Sequence, residues 1–274
     1  MNKLNTLLKV IKTLIRNPYS LKRVIDPSIS DSLNKWETIA SNYGFPNGLP
    51  VIDILDLLPE FNIEVFPYSF LEGTSSLLDL ALLNALARKY DKCSYLEIGT
   101  WRGESVANVA KSANRCISIS LSEEEMLSLG LSEEFIKAHR FFSKDIPNIQ
   151  HIEHNSLTFD YTTLQDKFDL VFIDGDHAYE NVKVDTQNIF PVLKDDTSII
   201  VWHDYGFSPE RIRWEVLSGI LDGCPYDKRG NLYHISNTLC AIYIPSGVFN
   251  TTYTKFPAIP NKRFRVQVTS EKIE

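Results

Sequence analysis

The sequence predicts a doubly wound α/β fold: a mostly parallel sheet, covered by helices on both faces, with an antiparallel edge. Three observations predict it. From Thr74 onward, short apolar runs of strand length alternate with segments of helical spacing. The connections between them are short, as expected when helices cross over between parallel strands. The last two apolar runs are separated by the turn-forming pair Ser236-Asn237, so they close the chain as an antiparallel pair.

In order, Thr74 or Ser75 can cap a helix running through Leu77, Leu80, Leu83 and Leu86. Ser94–Ile98 reads as a strand, Glu104–Lys111 as a helix and Cys116–Ser120 as a strand. Helices follow from Ser122 and Ser132, the latter with Glu133 and Glu134 in its first turn, where acids complement the helix dipole. Ile149–His154 and the strongly apolar Phe168–Ile173 are strands, and Tyr179–Val192 is a helix. Ser198–Trp202 is a buried strand, followed by a helix near Pro209–Ile220. Asn231–Ile235 and Leu239–Ile244 bring the count to seven strands.

This unit spans residues 74–246. Residues 1–73 read as an accessory or lid region with an amphipathic helix at its start, and 247–274 as a C-terminal extension. Pro27, Pro46, Pro50, Pro59 and Pro67 keep the accessory region irregular apart from short helical pieces such as Asp31–Ala40. Leu4, Leu7, Leu8, Ile11, Leu14 and Ile15 share one helical face, with Lys9, Lys12 and Arg16 mainly elsewhere on the wheel and Pro18 as the stop. Two readings of that helix stay open: packing on its own domain or a partner subunit, or resting on an anionic membrane surface as a peripheral contact of residues 1–25.

Composition limits the function classes. Hydrophobic residues at 43% and charged residues at 23% suit a globule with a sizeable core, and no apolar run reaches membrane-spanning length. The net charge of -7 divides unevenly, because residues 1–25 hold six basic residues and no acid. The rest of the chain is therefore strongly acidic and unsuited to wrapping nucleic acid. Cys93, Cys116, Cys224 and Cys240 form no C-x-x-C pair and read as reduced, packed thiols, which fits a cytoplasmic protein.

In a doubly wound sheet, ligands bind beyond the carboxyl ends of the strands, where the winding reverses. The first core strand ends in Glu97-Ile98-Gly99-Thr100-Trp101-Arg102-Gly103. Gly99 permits a tight turn, and Gly103 lets the next helix approach. The pattern is E-x-G-x-x-x-G and lacks the first glycine of a dinucleotide fingerprint, which weighs against a nucleotide-dependent oxidoreductase. The fourth strand ends in Asp174-Gly175-Asp176-His177, and the fifth in Trp202-His203-Asp204. If these strands are neighbours, Asp174 and Asp204 lie side by side, and two carboxylates so close call for a positive charge between them, typically a divalent metal.

The E-x-G-x-x-x-G turn, the F-I-D-G-D-H-x-Y segment and the I-I-V-W-H-D strand together resemble class I S-adenosylmethionine-dependent methyltransferases. The nearest branch is the small metal-dependent O-methyltransferases of the macrocin and novobiocin sugar-modifying type. The resemblance covers about Thr74 to Ile244 and implies a Rossmann-like, seven-stranded domain. It implies that Glu97, Gly99, Thr100 and Gly103 shape the pocket for the methionine end of S-adenosylmethionine, with Trp101 in the same loop and Asp174 beside it. Ser120 stands where relatives carry a ribose-gripping acid, and Asn155 where an acid faces the adenine.

It further implies that Asp174, His203 and Asp204 hold Mg²⁺ or a similar ion, and that His177 or Asp176 is the general base. The implied activity is O-methylation of a hydroxyl on a sugar, glycan precursor or similar small molecule, by a chain that could be a homo-oligomer. Ser120 and Asn155 keep open the alternative of a binding protein that retained the fold and lost turnover. His139, His151, His154 and His234 read as surface or packing residues, and Trp36, Trp202 and Trp214 as core.

Overall fold

In the computed structural model, which describes residues 27–273, helix α1 (Pro27–Asn42) leads into strand β1 (Val51–Ile52) and the single-turn helix α2 (Ile54–Leu57). Helix α3 (Leu77–Ala87), β2 (Ser94–Ile98), α4 (Glu104–Ala110) and β3 (Arg115–Ser120) follow. Helices α5 (Glu123–Ser128) and α6 (Glu133–Ala138) precede β4 (Ile149–Glu153), β5 (Leu170–Ile173), α7 (Tyr179–Ile189) and β6 (Ile199–Trp202). The chain then forms β7 (Gly206–Ser208), β8 (Arg211–Ile212), α8 (Trp214–Gly223), β9 (Leu232–Ile235), β10 (Ala241–Tyr243) and β11 (Thr251–Thr252). The amphipathic face predicted over residues 4–15 lies outside the described residues.

The main sheet has the order β11-β1-β9-β10-β6-β5-β2-β3-β4. Strands β4, β3, β2, β5 and β6 are parallel, and β10 and β9 extend them as the predicted antiparallel pair. Two short strands then take the sheet from seven to nine: β1 runs parallel to β9, and β11 antiparallel to β1. The segments before Thr74 and after residue 246 thus each add a strand to the same sheet.

Side-chain alternation along the strands divides the core in two. Leu96, Ile98, Val171 and Ile173 face the α1, α7 and α8 side, against Val182, Leu217 and Leu221. Tyr95, Leu170 and Phe172 face α3 and α4, against Leu82, Leu86 and Val106. Trp202 ties β6 to α7 by donating its indole N–H to Thr186 Oγ1 at 2.9 Å. Helix α1 docks on α8 and α7: Ser218 Oγ donates to Trp36 O at 3.0 Å, the Trp36 and Tyr179 rings stack at 4.6 Å, and Tyr43 and Tyr179 both bond Asp222.

Helix α3 starts one residue later than the sequence suggests. Ser76, not Thr74 or Ser75, is its N-cap, and it forms a capping box with Asp79. The helix predicted near Pro209–Ile220 is corrected more substantially. Its first part is the β7–β8 hairpin, turned at Pro209-Glu210, and α8 begins only at Trp214. Arg213 is held extended, its N–H donating to Tyr205 O at 2.7 Å, which prevents an earlier helical start. Among the described residues, no helix is long and apolar enough to cross a membrane, and all four cysteines are free and buried.

Candidate active site

The winding reverses between β2 and β5, so the crevice opens between the turn after Ile98 and the turn after Ile173. Gly99 has φ +85°, and a Cβ there would lie 2.2 Å from the Asp174 carbonyl oxygen. Only glycine lets these two turns meet. Gly103, at φ +81°, has a similar role, since a Cβ would fall on the Ser143 side chain.

Glu97 is wholly buried beneath this turn. Its carboxyl accepts from Tyr95 OH at 2.8 Å and from Thr100 Oγ1 at 2.9 Å, and Thr100 also bonds Ser118. Burial outweighs these hydrogen bonds and pushes the Glu97 pKa up to about 7. Glu97 therefore fixes the loop from below. Trp101 packs its ring against Phe135 of α6 at 3.6 Å between centroids, so α6 folds over the same loop.

The β5–β6 ladder pairs Ile173 with Trp202, which sets Asp174 opposite His203 and not opposite Asp204. Asp204 reaches the cluster through a left-handed backbone, φ +57°. His203 is the hub. Its Nε2 lies 3.2 Å from Asp79 Oδ2, and its Nδ1 lies 3.0 Å from Asp174 Oδ1 and 3.5 Å from Asp204 Oδ2. Nδ1 makes no aligned hydrogen bond to either.

Burial opposes a charge on His203, yet the surrounding carboxylates, Asp174 first, hold its pKa well above the ordinary value. A dication held by Asp174 and Asp204 would displace a proton from Nδ1 and take that nitrogen as its ligand. Asp204 is also pushed up by burial, but His203 and Arg213 outweigh that and hold it below the usual carboxylate range. Arg213 Nη2 lies 3.1 Å from Asp204 Oδ1.

Asp174, His203 and Asp204 offer one ligand atom each, all within 4.8 Å of one another. With Asp176, His177 and Val216 among its other walls, they line a cavity of about 10 Å³, the scale of one water or ion. Two hard oxygens and an imidazole nitrogen without an aligned hydrogen bond suit a divalent cation. Asp176 and His177 are exposed at the cavity. Asp176 Oδ1 accepts from the Ala178 N–H at 2.7 Å and so braces the entry to α7, while His177 carries no such tie.

Ser120 and Asn155 are already engaged. Ser120 Oγ accepts from Arg140 Nη2 at 2.9 Å and lies 3.2 Å from His139 Nε2, and Arg140 Nη1 pairs with Glu153 at 2.7 Å. Asn155 Oδ1 accepts from the Leu157 N–H at 3.0 Å. At the β3 end, Ser120 therefore acts together with Arg140 and His139. Burial, followed by the Arg140 charge, takes the His139 pKa down to about 4, so this imidazole is neutral.

His234 is buried, with Nε2 3.0 Å from Thr238 O. Sequence reading missed Asp79, Ser75, Arg140 and Arg213. Ser75 Oγ donates to Asp174 Oδ2 at 3.2 Å. Asp79 could have been noticed as an acid inside the apolar run of α3.

Residues 96–205 match a family model described as a methyltransferase domain. This stretch, from β2 to just past β6, is similar to methyltransferase domains. The matched stretch runs from the Glu97 strand to the residue after Asp204.

A curated relative is an uncharacterized protein of Acanthamoeba polyphaga mimivirus, 28% identical over 148 residues. That match covers 50% of this chain and 65% of the relative, so the chain spans just under two thirds of its length. Among solved structures, a cofactor-bound protein from MTB is 16% identical, with a TM-score of 0.46 and coverage of 81% of this chain and 91% of that one. An S-adenosylhomocysteine-bound Podospora anserina methyltransferase is 18% identical, with a TM-score of 0.42 and coverage of 62% and 80%.

Proposed function

We propose that the protein is an S-adenosylmethionine-dependent O-methyltransferase, acting on a hydroxyl of a sugar, glycan precursor or similar small molecule with help from a divalent cation. The observation that carries this reading is the shared cavity of Asp174, His177, His203 and Asp204, opening beside the Gly99 turn of a methyltransferase domain.

S-adenosylmethionine supplies an electrophilic methyl group on a sulfonium. Glu97 and Thr100 hold the Gly99–Gly103 turn that would shape the pocket for its methionine end. Trp101, with Ser120 backed by Arg140 and His139, and Asn155 would border the rest. Asp174, His203 and Asp204 would hold the cation, which when bound stabilises a developing alkoxide.

Methyl transfer is an in-line displacement, so alignment of the acceptor oxygen supplies much of the rate. His177 takes the acceptor's proton at its imidazole. It is favoured over Asp176 because Asp176 is committed to the Ala178 N–H. An oxidoreductase or a fold-only binding protein is not favoured, given an acid, a base and a ligand set around one cavity.

Calorimetry with S-adenosylmethionine and S-adenosylhomocysteine tests the cofactor. Transfer of labelled methyl across a panel of hydroxyl acceptors, with and without chelator, tests the rest. No binding at millimolar cofactor would sink the reading.

A further inference from the structure

The proposed cation site contains an element the two aspartates do not explain. His203 is 9% exposed at its side chain, and its Nδ1 is buried without an aligned hydrogen bond while facing Asp174 and Asp204. The opposite nitrogen, Nε2, lies 3.2 Å from Asp79 Oδ2. Asp79 is fully buried, and each of its oxygens is fixed by the backbone: Oδ1 accepts from the Leu239 N–H at 2.9 Å, and Oδ2 from the Ser76 N–H at 2.9 Å. A carboxylate so pinned is an acceptor only. It selects the imidazole arrangement in which Nε2 carries the hydrogen and the Nδ1 lone pair is available to a ligand.

We infer that this is a nitrogen-containing site selective for a transition-metal dication such as Co²⁺ or Zn²⁺ over Mg²⁺, with Asp79 as the positioning residue that orients His203. Imidazole suits first-row transition metals, whereas magnesium prefers oxygen donors and gives up its water reluctantly. Arg213 strengthens the argument. Its guanidinium occupies one oxygen of Asp204 at 3.1 Å, so that carboxylate offers a single oxygen and the His203 nitrogen makes up a larger share of the donor set. The inference rests on the cation-assisted reading above, so its test measures binding without turnover.

Co²⁺ and Mg²⁺ affinities are measured on the full chain by calorimetry and competition, with the visible d–d spectrum of bound Co²⁺ reporting nitrogen ligation. The expected result is at least about 100-fold preference for Co²⁺ over Mg²⁺. His203→Asp should erase most of that preference, remove the nitrogen signature and leave Mg²⁺ affinity equal or higher. Asp79→Asn should cost about 10–100-fold in Co²⁺ affinity, the usual loss when a ligand histidine loses its outer partner. If Asp79→Asn does not fold, the His203→Asp ratio decides the ligand question, and Asp79→Glu supplies the second test of positioning. Equal or better Mg²⁺ binding by the unaltered chain overturns the selectivity while leaving a metal-assisted enzyme standing. Binding of neither ion overturns both.

Discussion

Arg213 Nη2 lies 3.1 Å from Asp204 Oδ1, so one oxygen of that carboxylate is committed while the other turns toward His203. Asp174 is divided in the same way between Ser75 and His203. Each aspartate therefore has one oxygen held in place and one near the imidazole. Asp174→Asn and Asp204→Asn should each abolish cation binding together with most turnover, because a neutral amide is a poor ligand for a dication. His177→Ala should leave cation affinity unchanged and lower the rate about 10²–10⁴-fold, as for loss of a general base. Cation titrations and single-turnover methyl transfer separate the two classes. Full activity in excess chelator would remove the cation from the mechanism.

Glu97 gives a pH prediction. Its carboxyl has an ordinary pKa of 4.5 and is pushed up to about 7 in the fold by burial. The native state thus keeps its proton where the unfolded chain has lost it. Stability from this group is fully present below about pH 4.5 and falls as pH rises toward 7, by on the order of 3 kcal/mol in total. Glu97→Gln should flatten that fall. Urea denaturation at pH 5, 7 and 8.5 reads the difference in slope, and parallel curves for the two proteins would contradict it.

Gly99→Ala tests the meeting of the two turns. The added Cβ would lie 2.2 Å from a backbone oxygen of Asp174, which cannot swing aside, and the +85° φ disfavours any side chain. Backbone strain and overpacking together should cost about 2–5 kcal/mol. Chemical denaturation measures it, and cofactor affinity should fall in parallel.

Residues 1–25 carry six basic residues and no acid. If they rest on a membrane, the full chain should sediment with anionic vesicles and be released by salt, because screening at 0.15 M shortens the attraction to about 8 Å. Unchanged sedimentation after deletion of residues 1–25 would leave them a packing role.

Much of this was legible in the sequence because buried parallel strands are continuous apolar runs. The tails of β2, β5 and β6 announced Glu97, Asp174 and His203-Asp204 directly. What stayed hidden depends on long-range contact. Asp79 sits among leucines and alanines at α3, and nothing local says that it meets a histidine 124 positions later. Arg140 reaches Ser120 only because the turn after α6 closes over β3, with its N–H on Trp101 O at 2.7 Å. The β7–β8 hairpin was misread because Pro209 followed by Glu210 and Arg211 also resembles a helix start. The β7–β8 pairing and the Arg213–Tyr205 bond hold that stretch extended.

The far end of the sheet carries one more consequence. Its outermost strand is two exposed threonines, Thr251 and Thr252, held by an equally short β1. So brief a border offers another chain almost no ladder to copy, and the residues after it leave the sheet direction toward the β7–β8 hairpin, where the Ala258 N–H donates to Glu210 Oε1 at 2.8 Å. A chain cut just before residue 251 would bare β1, a border just as brief, so it should keep its pocket and show no new self-association.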